Sequence, residues 1–205
     1  MERAQRLVEQ QADPSSALLK LLAHDLREPF GPLGLALSML AESVPAADAA
    51  LVRMAEANCA RVVRIIDAVL LAMRPNRTLE LEHADLGEIA QAAAETARAL
   101  GTVCFVETTR CDVDVARAVV RDLIVGLLES VPQGKAAVLS VHPDGPRAVL
   151  ELYSDGVDWR AGLAAGAPHD RHSAFVLGAA AVLAAHGGGM EVGDGTVTGW
   201  IPLRS

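Results

Sequence analysis

The stretch ALLKLLAHDLREPFGPLGLALSMLAE, residues 17–42, decides the architecture of the first part of this chain. Its apolar side chains recur at steps of three and four residues, which is the spacing of one face of an α-helix. These side chains are Leu19, Leu22, Leu26, Phe30, Leu33, Leu37 and Leu40. The preceding residues 13–16, DPSS, form a helix-start signal. The stretch therefore predicts a long amphipathic helix.

A second segment of the same kind spans residues 46–73 and begins directly after the break at residues 43–45. Two such segments joined by a tight connection predict an antiparallel helical hairpin, in which each helix is about 40 Å long at the usual helical rise. A single hairpin of that length cannot bury an apolar stripe on both helices. We therefore expect a homodimer in which two hairpins pack into a four-helix bundle.

Shorter helix-like and strand-like segments alternate beyond residue 75. The helix-like segments are residues 86–100, 113–130 and 174–185, the strand-like segments are 103–107, 137–142 and 148–153, a turn signal stands at 143–146, a loop at 160–171 and a closing hairpin around 193–195. Mixed helices with mostly antiparallel strands predict an α/β sandwich. We expect an α+β chain with a helical-hairpin domain at residues 1–75 and a sandwich domain at residues 76–205.

Composition and charge exclude several classes of function. The chain carries 26 acidic and 18 basic residues, a net charge of −8, and only six aromatic residues. Such a chain repels a phosphate backbone and offers no base-stacking platform, so nucleic acid is not an expected partner. The longest apolar run, residues 174–185, is too short to span a bilayer, and the first residues, MERAQR, show no secretory pattern. We expect a cytoplasmic protein with no membrane association.

Neither the cysteines nor the histidines indicate a metal site. Cys59, Cys104 and Cys111 have no CxxC spacing and are expected to be buried small apolar residues. His169 and His172 have an HxxH spacing, but no third ligand is signalled near them. No resident metal is therefore expected.

His24 lies on the face of the first helix that points away from the apolar stripe, because each step of two residues turns a helix by about 200°. Lys20, Arg27, Glu28 and Gly31 are its helical neighbours, and they make this face polar and open. On its position alone, His24 could be an ordinary solvated histidine.

The sequence around His24, AHDLREP at residues 23–29, resembles the phosphoacceptor box of sensor histidine kinases, in which a histidine is followed by an acid and, four residues later, by a proline. Pro29 is an unusual choice inside a long helix, because it removes a hydrogen bond and clashes with the preceding turn. RVVRIIDAVL at residues 61–70 resembles the end of the second helix of the same dimerisation and phosphotransfer domain. The resemblance covers residues 10–75 and implies that His24 is the phosphoacceptor.

The residue types around His24 suit phosphoryl transfer. A neutral imidazole is a competent nucleophile near neutral pH, and a carboxylate can hold the proton on its other nitrogen and stabilise the cation that forms. The resemblance implies that Asp25 is this acid. Glu28, one turn on, is the alternative orienting group, and both acids could instead be ordinary surface charges. Arg27 could meet the phosphoryl oxygens or serve only in a salt bridge.

From about residue 85 the chain resembles, more weakly, the ATP-binding domain of the same kinases. Residues 84–86 resemble its opening, 121–131 its N-box helix, 152–159 its adenine-site turn and 185–188 the end of its last helix. In that last segment Gly187 is expected to terminate the helix, which leaves His186 as a helix-end residue.

The N box lacks the residues that serve a nucleotide. The resemblance places Gly126 and Ser130 where active members carry two asparagines for magnesium and phosphates. Asp122 and Glu129 could in principle meet a hard cation. Both lie off the matching register, however, and are expected to be exposed helix residues.

Two further nucleotide motifs are altered. The adenine-reading turn Asp-Asn-Gly-x-Gly becomes SDGVD at residues 154–158. A one-residue slip would let Asp155 read adenine, but Asp158 puts a negative charge where phosphates approach. The glycine-rich lid is replaced by SAFV at residues 173–176, whose bulky side chains would keep a phosphate away from the backbone. We therefore expect ATP to bind feebly or not at all, and no intrinsic cofactor.

A phosphoacceptor helix that keeps its motif beside a nucleotide domain that has lost its own resembles the dimeric histidine phosphotransferases of multistep phosphorelays. The resemblance implies that His24 shuttles a phosphoryl group between the aspartates of response-regulator receiver domains, without autophosphorylation from ATP. The receiver would supply the magnesium ion, and an upstream hybrid or sensor kinase would supply the phosphoryl group.

The hairpin also predicts a docking surface for a receiver. Residues 27–38 are expected to face roughly residues 54–65, and the small side chains of the first helix would allow close approach. The expected docking residues are Gly31, Gly34, Leu35, Ser38, Asn58 and Arg61. Two alternatives stay open: a sensor kinase core with a divergent ATP site, and a non-enzymatic dimeric scaffold or kinase regulator in which His24 has no role.

Overall fold

Two long helices make up the described part of the first of two compact units. The computed structural model describes Asp25 and residues 27–73, 79–164 and 171–204. Contacts divide the chain into the units Met1–Leu70 and Leu71–Ser205. Helix α1 spans Phe30–Ser43 and helix α2 spans Ala46–Ala72. The beginning of the predicted first helix, with its start signal at residues 13–16, lies outside the described residues.

Side-chain contacts between α1 and α2 run in the antiparallel sense. The Cys59 thiol donates to the Phe30 carbonyl at 3.4 Å, and the Ser38 hydroxyl donates to the Glu56 carboxylate. Residue 30, at the start of α1, thus contacts residue 59 of α2, whereas residue 38, further along α1, contacts the earlier residue 56. Contacts that run in opposite directions along the two helices are those of an antiparallel hairpin. The four-helix bundle of a homodimer stays a prediction.

The hairpin leaves most of its apolar side chains in contact with solvent. No residue of α1 is buried. The exposed large apolar residues of the two helices are Leu33, Leu35, Met39, Leu40, Leu51, Met54 and Val62. Exposed apolar patches of this kind are typical of surfaces that associate with a partner.

The first helix is interrupted at Pro29, where the sequence predicts a continuous helix. Asp25 and Arg27 are helical, residues 28–29 form a turn, and α1 begins at Phe30. Proline has no N–H to donate to the carbonyl four residues earlier, and its ring clashes with the preceding turn. The prediction of one helix over residues 17–42 therefore misses a break in hydrogen bonding at residues 28–29, although the Pro29 backbone stays helical, with φ −70° and ψ −21°.

The second unit contains a two-stranded and a five-stranded sheet with helices between the strands. Its elements in the described residues are β1 Glu82–Asp85, α3 Leu86–Ala99, β2 Val103–Thr108, β3 Asp112–Val115, α4 Arg117–Glu129, β4 Ala136–Asp144, β5 Arg147–Tyr153, α5 Trp159–Ala164, α6 Arg171–Ala185, β6 Gly189–Val192 and β7 Thr196–Pro202.

The five-stranded sheet is mixed. Its strand order is β2-β4-β5-β7-β6, with β2 parallel to β4 and the other pairs antiparallel, while β1 and β3 form a separate antiparallel pair. Alternate residues of β4, among them Leu139 and Val141, are buried beneath the helices. Helices packed on a sheet that has one buried face explain the alternation. The predicted α+β class is confirmed for this unit.

Three short elements differ from the sequence prediction. Residues 113–115, predicted as the start of a helix, belong to β3, because Val113 and Val115 are buried and pair with β1. The helix begins only at Arg117. Strand β1, with 4 residues, and helix α5, with 6, fall where the sequence predicts a connector and a loop. Elements this short contain too few residues to show the periodicity of apolar side chains from which helices and strands are predicted.

The second unit has a continuous apolar core. Its largest fully buried side chains include Trp159, Phe175, Leu86, Ile89 and Leu128. All three cysteines of the chain are buried free thiols, as predicted. Within the described residues, no helix combines the length and the apolar content that crossing a membrane would require.

Candidate functional site

The predicted phosphoacceptor, His24, lies outside the described residues. Its neighbour Asp25 is helical and its side chain is exposed. Glu28 is exposed as well, but it lies in the turn before α1. Both acids are therefore accessible to solvent, and which of them orients the histidine stays a prediction.

Arg27 forms an ion pair with Asp67 of α2. From the sequence, Arg27 could either contact the phosphoryl group or form a salt bridge. The ion pair connects the helical residues before α1 to α2. Both side chains are more than a third exposed. An exposed pair contributes at most about 1 kcal/mol to stability.

Three of the four predicted docking residues of α1 are accessible. A Cβ built on Gly31 or on Gly34 would meet no atom within 4 Å. The Leu35 side chain is 65% exposed. This part of α1 therefore has room for the surface of another protein.

The other predicted docking residues are engaged within the hairpin. Ser38 donates to Glu56 across the two helices. Arg61 Nη1 donates to Asn58 Oδ1 at 3.4 Å along α2. These hydrogen bonds hold the polar side chains in defined positions next to the open part of α1.

In the second unit, the predicted N-box positions are packed into the protein's own core. Gly126 of α4 lies against the ring of Phe175 from α6, and a Cβ built on Gly126 would stand 2.1 Å from that ring. Phe175 has no exposed surface. The Ser130 hydroxyl donates to the Gly126 carbonyl at 2.9 Å. Phe175 therefore fills the space that a side chain at residue 126 would need.

One of the two acids on α4 is not exposed, contrary to the sequence prediction. Asp122 is partly exposed and pairs with Arg121 at 2.9 Å. Glu129 is only 6% exposed, and Arg171 Nη2 donates to its backbone carbonyl at 3.1 Å. Residues 123–129 are buried without a break, so the C-terminal half of α4 is enclosed on all sides, whereas Arg117 and Arg121 near its start are half-exposed. An enclosed segment has no exposed face for a sequence pattern to reveal.

The predicted adenine-site turn follows β5, and its first residue is tied into the sheet. Ser154 is buried, and its hydroxyl donates to the Ala136 carbonyl at 3.0 Å. Asp155 is exposed, with Oδ2 at 3.5 Å from Lys135 Nζ. Of the Ser154 and Asp155 side chains, only that of Asp155 is available to a molecule that approaches from solvent.

The rest of the turn leads into α5. Gly156 has φ +76°, a conformation that favours glycine. Asp158 Oδ1 accepts a hydrogen bond from the Ala161 N–H at 3.0 Å. Asp158 thus caps the first turn of α5 as well as bringing negative charge to the turn.

His172 and Trp159 pack together beside this turn. Their ring centroids lie 5.2 Å apart, and His172 Nε2 is 3.1 Å from the Asp158 carbonyl oxygen. His169, the other histidine of the HxxH spacing, lies outside the described residues. Among the residues that the structure describes, no group of histidine, cysteine and acidic side chains is arranged to hold a metal ion.

His186 has a structural role that the sequence did not reveal. It is buried, its Nε2 accepts from the Ala116 N–H at 3.0 Å, and its Nδ1 donates to the Val182 carbonyl at 2.7 Å. Helix α4 has no side-chain cap of its own at Ala116. The residue before α4 is not a Ser, Thr, Asp or Asn, the residue types that usually cap a helix. This was the one signal in the sequence that the acceptor for the Ala116 N–H comes from another part of the chain.

The cysteines of the second unit are poor nucleophiles. Burial raises the pKa of the Cys104 thiol, although the nearby Arg98 opposes this. Burial, together with the charges of Asp85 and Asp112, raises the pKa of the Cys111 thiol. The thiolate is the reactive form, so neither residue is a candidate for covalent chemistry.

No protein-family model and no curated protein matches the chain. Solved structures do match it. Full-length ShkA in complex with AMPPNP aligns with a TM-score of 0.55 and 18% identity over 92% of this chain and 46% of ShkA. The chain thus spans less than half of the length of ShkA.

Two further matches are closer in length. The histidine kinase AdeS of Acinetobacter baumannii aligns with a TM-score of 0.55 and 16% identity over 89% of this chain and 98% of AdeS. The histidine kinase domain of the E. coli osmosensor EnvZ aligns with a TM-score of 0.51 and 13% identity over 63% of this chain and 93% of that domain. The chain therefore has a histidine-kinase-like fold.

Proposed function

We propose that this chain is a histidine phosphotransferase, which takes a phosphoryl group from the aspartate of one response-regulator receiver domain onto His24 and passes it to the aspartate of another. The observation that carries the proposal is the packing of Phe175 against Gly126. A domain that fills this position with its own core has no room there for the asparagine side chain that serves magnesium and phosphates in active kinases. In contrast, AHDLREP at residues 23–29 keeps the residue types of a phosphoacceptor.

Other features of the second unit support a chain without ATP chemistry. Residues 173–176, which stand where active kinases have a glycine-rich lid, are all buried. Their backbone is therefore not presented to a phosphate. The Asp158 carboxylate adds negative charge beside the adenine-site turn. ATP-dependent autophosphorylation is accordingly not part of the proposed activity.

The transfer step is an in-line displacement at phosphorus. A ring nitrogen of His24 attacks the phosphorus of the receiver's acyl phosphate, and the new N–P bond forms as the bond to the aspartate oxygen breaks and leaves a free carboxylate. Asp25 holds the proton on the other ring nitrogen and offsets the positive charge that develops. Arg27, anchored by Asp67, meets the phosphoryl oxygens. The magnesium ion belongs to the receiver, and transfer to the second receiver reverses these steps.

The proposed docking surface is the open part of α1 around Gly34, flanked by Gly31 and Leu35. A side chain at Gly34 meets no atom of the chain itself. We therefore expect Gly34→Arg to abolish transfer from a receiver while the homodimer persists. Normal transfer by this variant would exclude the surface.

A second candidate is a histidine kinase core with a divergent ATP site. The comparisons favour it, because the structural neighbours are histidine kinases, and full-length ShkA is in complex with AMPPNP. Asp155, exposed at the adenine-site turn, is the residue that would read adenine. A third candidate is a dimeric scaffold or kinase regulator that uses only the shape of the hairpin.

One experiment separates the three candidates. The purified chain is incubated either with radiolabelled, phosphorylated receiver domains from its own genome or with labelled Mg-ATP alone. The readout is acid-labile, base-stable label on the chain. His24→Ala is the test variant, and His83→Ala, which changes a half-exposed histidine of the second unit, is the matched control.

Label from a receiver but not from ATP, lost in His24→Ala and kept in His83→Ala, is the expected result. Label from ATP that depends on His24 would establish the kinase core instead. The scaffold would be favoured by the absence of label in every lane.

A further inference from the structure

Strand β2 lies at one edge of the five-stranded sheet. Just beyond it, the Thr109 N–H donates to the Val141 carbonyl at 2.7 Å, so the backbone groups of the odd-numbered residues turn toward β4. Successive residues of a strand alternate in this respect. The backbone groups of Cys104, Val106 and Thr108 therefore point away from the sheet.

Part of this edge is already engaged. Arg98 Nε donates to the Cys104 carbonyl at 2.9 Å. Among the described residues, no strand pairs with β2 on the side of Val106 and Thr108. Proteins usually protect such an edge with charges, proline or a bulge, but VCFVET has one charged residue and no proline. The edge is open to pairing with another chain.

An acidic groove follows this edge on the helical side of the sheet. It is lined by Asp85, Gly87, Glu88, Gln91, Ala92, Glu95, Thr108 and Arg110. The three carboxylates outnumber the single guanidinium. Arg110 is itself neutralised, because it donates to the Asp112 carboxylate at 3.1 Å.

The carboxylates of the groove differ in their partners. Asp85 accepts from the Gly87 N–H at 2.8 Å and caps α3. Glu88 is exposed and lies 3.9 Å from Arg117. Glu95 is exposed and accepts from Gln91 at 3.4 Å. Even when Arg98 at the start of the edge and Arg117 beside Glu88 are counted, carboxylates, Asp112 among them, outnumber guanidiniums around the groove, and this small excess of negative charge favours a basic partner.

The opposite face of the same edge carries two exposed apolar side chains, Val103 and Phe105, followed by the charged Glu107. Val103 is 52% exposed and Phe105 is 61% exposed. Phe105 pairs in register with Val138, and Val138 pairs with Tyr153, both of which are also exposed. These side chains form an apolar row that crosses three strands and ends at the open edge.

We propose that the β2 edge binds an extended segment of a partner protein whose side chains alternate between basic and apolar. The backbone of that segment pairs with Val106 and Thr108, its basic side chains face Glu88 and Glu95, and its apolar side chains continue the row of Phe105. A second copy of this chain fits the edge less well, because pairing of two β2 strands would bring two acidic faces of α3 together.

The probe is a short synthetic peptide of alternating Lys and Val, with a fluorescent label, titrated into the full chain. One control peptide alternates Glu and Val. Another is the Lys-Val peptide with alternate backbone amides methylated, so that it keeps its charge but cannot pair as a strand. We expect the Lys-Val peptide to bind at least about tenfold more tightly than either control.

Two variants test the site itself. Val106→Pro removes an N–H that points away from β4 and is compatible with an edge strand. Glu95→Lys reverses a charge of the groove without touching the sheet. Each is expected to weaken binding of the Lys-Val peptide at least about tenfold. Glu191→Lys, on the opposite edge strand β6, is the matched control and is expected to change nothing.

Several outcomes would overturn the proposal. The first is failure of the Lys-Val peptide to bind, and the second is equal binding of the methylated peptide. Unchanged binding by Glu95→Lys would also do so, and this variant decides the matter if Val106→Pro fails to fold. A concentration-dependent self-association that Val106→Pro removes would assign the edge to a second copy instead.

Discussion

The helical hairpin and the α/β domain differ in what they bury. Helix α1 has no buried residue, whereas residues 123–129 of α4 are buried without a break. The hairpin contains the segment that resembles a phosphoacceptor box, and the α/β domain contains the segments that resemble altered nucleotide motifs. In the α/β domain the Phe175 ring fills the space beside Gly126, whereas a side chain added at Gly31 or Gly34 of the hairpin would meet no atom.

The largest expected effect is in the packed region, at Phe175 and Gly126. Phe175→Ala should lower the free energy of unfolding by about 3–5 kcal/mol, because it leaves a cavity. Gly126→Asn should lower it by about 1–3 kcal/mol or more, because the added side chain meets the ring. The double variant should lose less than the sum, because the asparagine then occupies the space that the ring leaves. Urea denaturation measures all three.

Additive losses in the double variant would show that Phe175 does not fill the space at residue 126. Phe105→Ala is the control for loss of a phenylalanine. Because this side chain is exposed, its removal should change the free energy of unfolding by no more than about 0.5 kcal/mol.

An intermediate effect is expected at the exposed face of the hairpin. Leu51→Glu should weaken the predicted homodimer by roughly tenfold or more, because burial of a leucine side chain contributes about 1.5–3 kcal/mol. Leu81→Glu changes a residue of similar exposure in the second unit, 51% against 62% for Leu51, and should leave association unaltered. Sedimentation velocity over a range of concentrations measures both. Equal association of wild type and Leu51→Glu would remove Leu51 from the interface.

The smallest effect is expected for the ion pair between Arg27 and Asp67. A double-mutant cycle with Arg27→Gln and Asp67→Asn should give a coupling free energy below about 1 kcal/mol, which decreases further at high salt. If the pair serves to orient the guanidinium, Arg27→Gln should lower the rate of phosphoryl transfer to and from a receiver much more than it lowers the free energy of unfolding. A coupling energy well above this range, insensitive to salt, would mean that the pair is mainly structural.

The long elements could be predicted from the sequence, because they repeat a pattern often enough to identify it. Helix α2 matches the predicted segment 46–73 to within a residue at its end. The hairpin of β4 and β5 turns at Gly145, which has φ +56°, inside the predicted PDGP turn. In both cases the signal is local, a helical period in one and turn-forming residues in the other.

The remaining features depend on contacts between distant parts of the chain. Glu129 is buried because the C-terminal half of α4 is enclosed, and no local pattern shows which helices surround it. The fit of Phe175 to Gly126 joins residues of two helices that are far apart in sequence. At Pro29 the sequence did carry the signal for a break, but the apolar stripe on either side favoured continuity. His24 and its geometry stay a prediction.

The two hydrogen bonds of the His186 ring have a consequence for motion. The ring joins the N–H at the start of α4 to the last turns of α6. Separation of the two helix ends therefore breaks the bond from Ala116, while the bond to Val182 stays within the end of α6. Local opening of either end is therefore coupled to the other, and their amide protons should exchange with solvent as one cooperative unit.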